Sequence, residues 1–194
     1  MQKLAKEDLM SLEAYAEKRP EFRARVMQHK KSRQVPIGDH ATCYFEDRTT
    51  IQYQIQEMLR VERIFERAAI QEELDAYNPL IPDGSNLKAT FMIEYGDPVE
   101  RKGALERLIG VEDKVWVRVS GYAKVYAIAD EDLERETEEK TSSVHFLRFE
   151  LAPEMVAGLT AGADMATGID HDNYTAGVDP LPAAVRNALA ADLI

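Results

Sequence analysis

The sequence predicts an α+β fold: a mainly antiparallel sheet with packed helices, an N-terminal helical segment and a C-terminal helix. Three observations predict it. Stretches that alternate apolar and polar residues, such as Leu87 to Tyr95 and Ser143 to Leu151, read as half-buried strands. A stretch with apolar residues at helical spacing, Ile51, Ile55, Met58 and Leu59, reads as an amphipathic helix. Hairpins and separate helices then point to antiparallel pairing.

The elements follow in order. Asp8 or Ser11 caps a first short helix through Glu17, and Pro20 suits the first turn of a second helix to about Ser32. Phe22 and Val26 share one side of it. Pro36 and Gly38 break the pattern, and Ala41 to Glu46 is a short strand. The strongest helix starts near Thr49 and runs to Phe65, with an extension through Glu73 to Ala76. Asn78 to Gly84 makes a loop. In the next strand Leu87, Ala89, Phe91, Ile93 and Tyr95 take one face. Asp97 caps a helix that has Pro98 at its first position and stops at Gly110. Lys114 to Ser120 and Lys124 to Ala129 form a hairpin, with Val115, Val117 and Val119 on one face. Asp130 starts an acidic helix. Ser143 to Leu151 is a strand, and Pro153 opens a short helix that ends at Gly162. Ala163 to Ile169 is a further strand, a glycine- and aspartate-rich loop follows, and Pro182 to Leu193 is a terminal helix.

A chain of 194 residues suits one domain, residues 1–194, able to bury roughly two thirds of its unfolded surface. Within it, 1–35 is the N-terminal helical segment. Gly177 to Pro182 reads as a hinge to a mobile C-terminal helix, 177–194. The single cysteine, Cys43, excludes an intramolecular disulfide, which fits a reducing, cytoplasmic location. The first residues mix acids and bases without an apolar core, so no signal peptide is expected. No apolar run is long enough to span a membrane.

Net charge is -11, which disfavours nonspecific nucleic-acid binding and anionic membranes, where negative charges repel. The charge is segregated. Lys18, Arg19, Arg23, Arg25, Lys30, Lys31 and Arg33 fall in one stretch, and Asp130 to Glu139 holds seven acids against Arg135. Both read as solvated faces. The alternative is mutual attraction, within the chain or between subunits, as in a homodimer.

Glu62 is the most conspicuous side chain. On a continuous helix it projects between Ile55 and Met58, in the apolar stripe. Burial there demands a cation, a hydrogen-bond partner or water. An internal salt bridge or a helix end reaching solvent satisfies that need; a proton-holding acid or metal ligand is the functional alternative. Glu66 lies one turn on. His145 alternates with Leu147, Phe149 and Leu151, so it points at the core; His40 and His171 lie in loops. Together Glu62, Glu66, His40, His145 and His171 are the right types for an iron, manganese or zinc site, but spacing does not show that they meet. Gln52, Gln56 and Arg63 form a polar stripe that suits a partner-facing surface, or amides that read a peptide backbone. Phosphate loops, a dinucleotide fingerprint and a serine nucleophile elbow are absent. Cys43 sits among strand residues as packing.

Three long stretches carry a resemblance: GDHATCYFEDRTTIQYQIQEMLRVERIFE, EELDAYNPLIPDGSNLKATFMIEY and DEDLERETEEKTSSVHFLRFEL. The sequence resembles the bacterial family called domain of unknown function 3501 over most of its length. The resemblance implies no reaction and no site residues. It implies a redox or peroxide-stress setting, with an iron–sulfur oxidoreductase or a rubrerythrin-like protein as partner. Two readings follow: a noncatalytic accessory or interaction protein, or a small metal-dependent enzyme or metal-binding protein with a carboxylate and histidine site.

Overall fold

The computed structural model describes residues 2–193. In chain order its elements are α1 (Leu12–Lys30), β1 (Gln34–Pro36), β2 (Ala41–Phe45), α2 (Arg48–Val61), α3 (Arg67–Tyr77), β3 (Asn86–Ile93), α4 (Pro98–Arg107), β4 (Val115–Val119), β5 (Val125–Tyr126), β6 (Ile128–Ala129), β7 (Val144–Glu150), α5 (Pro153–Thr160), β8 (Met165–His171), β9 (Tyr174–Val178) and α6 (Ala183–Ala190). Every strand pairing is antiparallel, in the orders β1-β2-β3-β7-β6 and β5-β4-β8-β9. The architecture is α+β.

The two sheets are joined. β5 and β6 are halves of one bent strand: Val125 and Tyr126 pair with β4, and Ile128 and Ala129 pair with β7. Ala127, at the bend, is buried. Far from this corner β9 meets the β1–β2 turn. There the Tyr174 hydroxyl donates to the Ile37 carbonyl at 2.7 Å and accepts from the His40 amide at 3.0 Å. The paired strands thus curl towards a barrel. The close approach needs Gly38, with φ at +70°, because a Cβ there would lie 2.7 Å from the Tyr174 oxygen.

Alternation decides which side chains enter the barrel. Leu87, Ala89, Phe91 and Ile93 of β3, Val115, Val117 and Val119 of β4, and Leu147 and Phe149 of β7 form one buried cluster. Leu105, Leu159 and Leu189 close it from α4, α5 and α6. The C-terminal stretch is pinned as well: Asp192 accepts two hydrogen bonds from buried Arg33, both at 2.7 Å.

The helical layer α1–α3 has separate, smaller cores. Leu4, Ile51, Ile55, Leu59, Ile70, Leu74 and Ile81 form one, and Tyr15, Phe22, Val26 and Tyr53 form another. Here the first expected helix boundary is wrong. α1 is continuous, with Ser11 as its cap and Pro20 inside it. Proline removes one helical hydrogen bond. Contacts on both sides of it offset the loss: Tyr15 and Arg19 bond Glu57 of α2, and Phe22 packs against Tyr53.

Other expectations also need correction. No helix starts at Asp130, and 130–143 is irregular. Stacked like charges oppose a helix, and the acids here find separate donors instead. Asp130 and Asp132 bond Arg135, Glu131 bonds Arg148, and Glu136 bonds the Gly110 amide. The expected loop after Ile169 is a hairpin, with β9 pairing back along β8. No helix among the described residues is long and apolar enough to cross a membrane.

Candidate functional site

Glu62 does not occupy the apolar stripe. α2 ends at Val61, and Glu62 is its exposed C-cap. Arg63 takes a left-handed φ of +56°, and the Ile64 amide bonds back to the Leu59 carbonyl at 2.9 Å. This is a Schellman-type stop, with Ile64 tucked against the Leu59 cluster. No glycine announces it, which is why helical projection misplaced Glu62. Glu66 is the exposed N-cap residue of α3.

Gln52 and Gln56 do not form the expected surface. Gln56 is fully buried; it accepts from the Met10 amide at 2.6 Å and donates to the Met10 carbonyl at 3.3 Å. Gln52 donates to the Asp8 carbonyl at 2.6 Å. Asn78 makes the same two-way bond to Leu4, at 2.8 and 2.9 Å. These amides do read a peptide backbone, and it is the chain's own N-terminal segment. Arg63 is exposed.

The histidines separate. The His40 ring stacks on Tyr95 at 3.9 Å, and His171, at the end of β8, faces the Ile109 carbonyl at 3.1 Å. His145 lies inside the barrel end, fully buried. Among the described residues, one group of three metal-capable side chains converges: Glu112, Asp130 and His145, with ligand atoms within 4.8 Å of one another. Sequence reading found His145 but missed both acids, because loops deliver them. Glu112 sits in a single 3-10 turn after α4, and Asp130 follows β6 with a φ of +49°.

The geometry of this group suits a proton better than a metal ion. Nδ1 of His145 meets Asp130 at 2.6 Å, while Nε2 lies 3.0 Å from the Ser142 carbonyl and 3.6 Å from Glu112. One ion cannot take both ring nitrogens. The oxygens are also occupied: Asp130 accepts from the Phe146 amide and Arg135, and Glu112 accepts from Thr141. Burial pushes the Glu112 carboxyl above the usual range, and the neighbouring His145 pulls it back. The cluster ties the acidic loop to β7.

A broad concavity lies elsewhere, between the helical layer and the outer face of the five-stranded sheet. Cross-strand register sets its floor: Tyr44, Thr90 and Phe146 stand side by side, flanked by Met92 and Val144 on one side and Lys88 and Arg148 on the other. These side chains are half-buried, whereas their inward neighbours Cys43, Phe91 and Phe149 are fully buried. The helices therefore roof this face without sealing it. One cleft of about 650 Å³ lies between Met58, Tyr77 and Leu80 above and Phe146, Lys88 and Arg148 below. A second, of about 330 Å³, runs on past Lys30, Tyr44 and Gln54. Tyr77, Leu80 and Phe146 line both, so the two form one groove. Size and apolar lining are those of ligand-binding clefts.

The groove's charges are mostly spoken for. Arg148 bonds Glu131 at 2.8 Å twice and Glu150 at 2.6 Å. The Lys88 ammonium bonds the Pro79 carbonyl, and desolvation pulls it below its ordinary value. Paired charges of this kind set shape and register rather than attack a substrate. The sequence signal for this face was Met92, the apolar member of the outward set Lys88, Thr90 and Met92 of β3.

The family model for proteins of unknown function (DUF3501) matches residues 3–193. Among curated proteins none matches the sequence. A crystal structure of a novel protein of unknown function from Burkholderia pseudomallei is 55% identical, with a TM-score of 0.95, over 100% of both chains.

Proposed function

The chain belongs to the DUF3501 family, and from its site geometry we propose that it is a noncatalytic accessory protein whose working face is the groove between helical layer and sheet. One observation carries this reading: Tyr77, Leu80 and Phe146 stay half-buried between two layers that each have a complete core of their own. A protein gains nothing in stability by holding such layers apart, so the gap suits an amphipathic protein segment seated between them. The redox or peroxide-stress setting, with an iron–sulfur oxidoreductase or a rubrerythrin-like protein as partner, comes from the family resemblance.

Nile red, a neutral apolar probe, tests the groove. The folded protein should enhance its fluorescence, and Leu80→Asp or Phe146→Lys should abolish that while the circular dichroism spectrum holds and thermal unfolding stays cooperative, with Tm lowered by only a few degrees. Equal enhancement by both variants would move the binding face elsewhere. Each variant should also weaken binding of a purified iron–sulfur partner, read by calorimetry.

A further inference from the structure

From the buried cluster of Glu112, Asp130 and His145 we infer a proton-operated latch: the cluster holds His145 as an imidazolium, and its second proton fastens the acidic loop 130–143 to the barrel end. The hydrogen-bond pattern carries the inference. Both ring nitrogens of His145 face acceptors. Nδ1 meets the Asp130 carboxylate at 2.6 Å, and Nε2 lies 3.0 Å from the Ser142 carbonyl. A neutral imidazole has a single N–H, so one of these contacts would set two lone pairs against each other. The Thr141 hydroxyl lies 3.0 Å from Nε2, but its proton serves Glu112 at 3.1 Å. Only the doubly protonated ring satisfies both sides.

The charges around the ring agree. The turn after α4 contributes Glu112, the end of β6 Asp130, and the loop Arg135 and Glu136, whose carboxylate bonds the Gly110 amide. From β3 the ring is faced by Phe91, which carries no charge. Arg135 is the one arginine or lysine paired with the cluster among the described residues, and it is shared with Asp132. With a neutral ring, two buried acids share part of one cation. With an imidazolium, the cluster balances. Burial pushes the Glu112 carboxyl up, and His145 pulls it back down. The latch also reaches the groove. Asp130 accepts the Phe146 amide at 2.9 Å and donates its own amide to the Phe146 carbonyl at 2.9 Å. The Arg135 guanidinium lies 4.6 Å from the centre of the Phe146 ring. Next along the chain, Glu131 holds Arg148, and Asp132 lines the cleft. Loss of the proton leaves unbalanced negative charge in the barrel end and frees this wall. The folded loop favours the protonated ring, so the latch is closed at lower pH and opens as pH rises.

Magnetic resonance on the full chain tests this through the ring nitrogen shifts of His145 and through amide exchange. At about pH 7 both ring nitrogens should be protonated. As pH rises towards about 10 the second proton should leave. Protection of the Gly110, Thr141 and Phe146 amides, each referred to its free-chain rate, should then fall about tenfold, while that of Leu87 and Phe149 holds. Asp130→Asn suits the left-handed backbone at +49° and keeps an acceptor for the Phe146 amide, but its side-chain amide offers Nδ1 a donor. In that variant the ring should be singly protonated at about pH 7, and loop protection should no longer depend on pH. A neutral ring in the wild-type protein at about pH 7, or loop protection that does not follow the second proton, would overturn the inference. These readouts report the loop and not an occupant, so their failure leaves the groove proposal standing.

Discussion

The two faces of the same three strands behave differently. Inward, β2, β3 and β7 contribute Cys43, Phe91 and Phe149, all fully buried in a core that α4, α5 and α6 close. Outward, Tyr44, Thr90 and Phe146 are half-buried beneath α2 and α3. Both sets lie on the same strands: Cys43 and Phe91 are adjacent to Tyr44 and Thr90, and Phe149 is three residues from Phe146. The difference comes from what covers them. The helices behind the inner face donate leucines to the shared core, whereas α1–α3 spend their best apolar residues on each other. A layer satisfied within itself has little left with which to grip the sheet, so a groove remains.

The largest test of that contrast is a pair of truncations. Phe91→Ala should cost about 3–5 kcal/mol in urea unfolding, because it empties a close-packed site. Phe146→Ala, on the neighbouring strand one position along in register but on the roofed face, should cost about 1 kcal/mol, because part of the ring already meets solvent. Equal losses would mean that the helical layer seals the sheet and that the groove is not a gap.

A smaller effect concerns how the helical layer holds its own N-terminal strap. Gln56→Ala leaves the Met10 amide without its partner in a buried setting, for an expected loss of about 1–3 kcal/mol. Hydrogen exchange should then speed up in residues 2–11 before it does in the barrel. Uniform acceleration across both regions would show that the two layers unfold as one unit.

The smallest effect is a pH dependence confined to the helices. Arg19 and the Tyr15 hydroxyl bond Glu57, and the Arg19 guanidinium above all holds its carboxyl down to about 2, from an ordinary 4.5. A carboxyl depressed in the folded state stabilises fully above its unfolded value and loses that contribution as pH falls towards the folded one. Thermal stability should therefore decline between about pH 4.5 and about pH 2 partly through this pair. Glu57→Gln should flatten that part of the curve; an unchanged slope would assign the acid sensitivity elsewhere.

Much of the barrel was legible residue by residue. Period-two alternation put Leu87, Ala89, Phe91 and Ile93 on one face, and the same rule put His145 inward with Leu147 and Phe149. The Asp97 cap with Pro98 behind it marked α4 correctly. These signals are local: each depends on residues a few positions apart and on backbone geometry that any strand or helix shares. The helical layer read less well. Pro20 looked like a boundary, and α2 looked longer than it is, because tertiary contacts held one helix together and a left-handed Arg63 stopped the other.

The sequence by itself determined the α+β class, the faces of the long strands, most helix starts, and a histidine turned into the core. Periodicity and capping are enforced within a few residues, so they leave a readable trace. Only the tertiary structure decided that Glu62 points to solvent, that Glu112 and Asp130 meet His145, that Gln56 clamps Met10, and that two layers leave a groove across β3 and β7. Those facts join residues 46 positions apart in the clamp and farther in the groove, where Met58 faces Arg148, through loops and layer spacing. No local pattern encodes such distances, because they are set by which cores form first-choice contacts and which surfaces are left over.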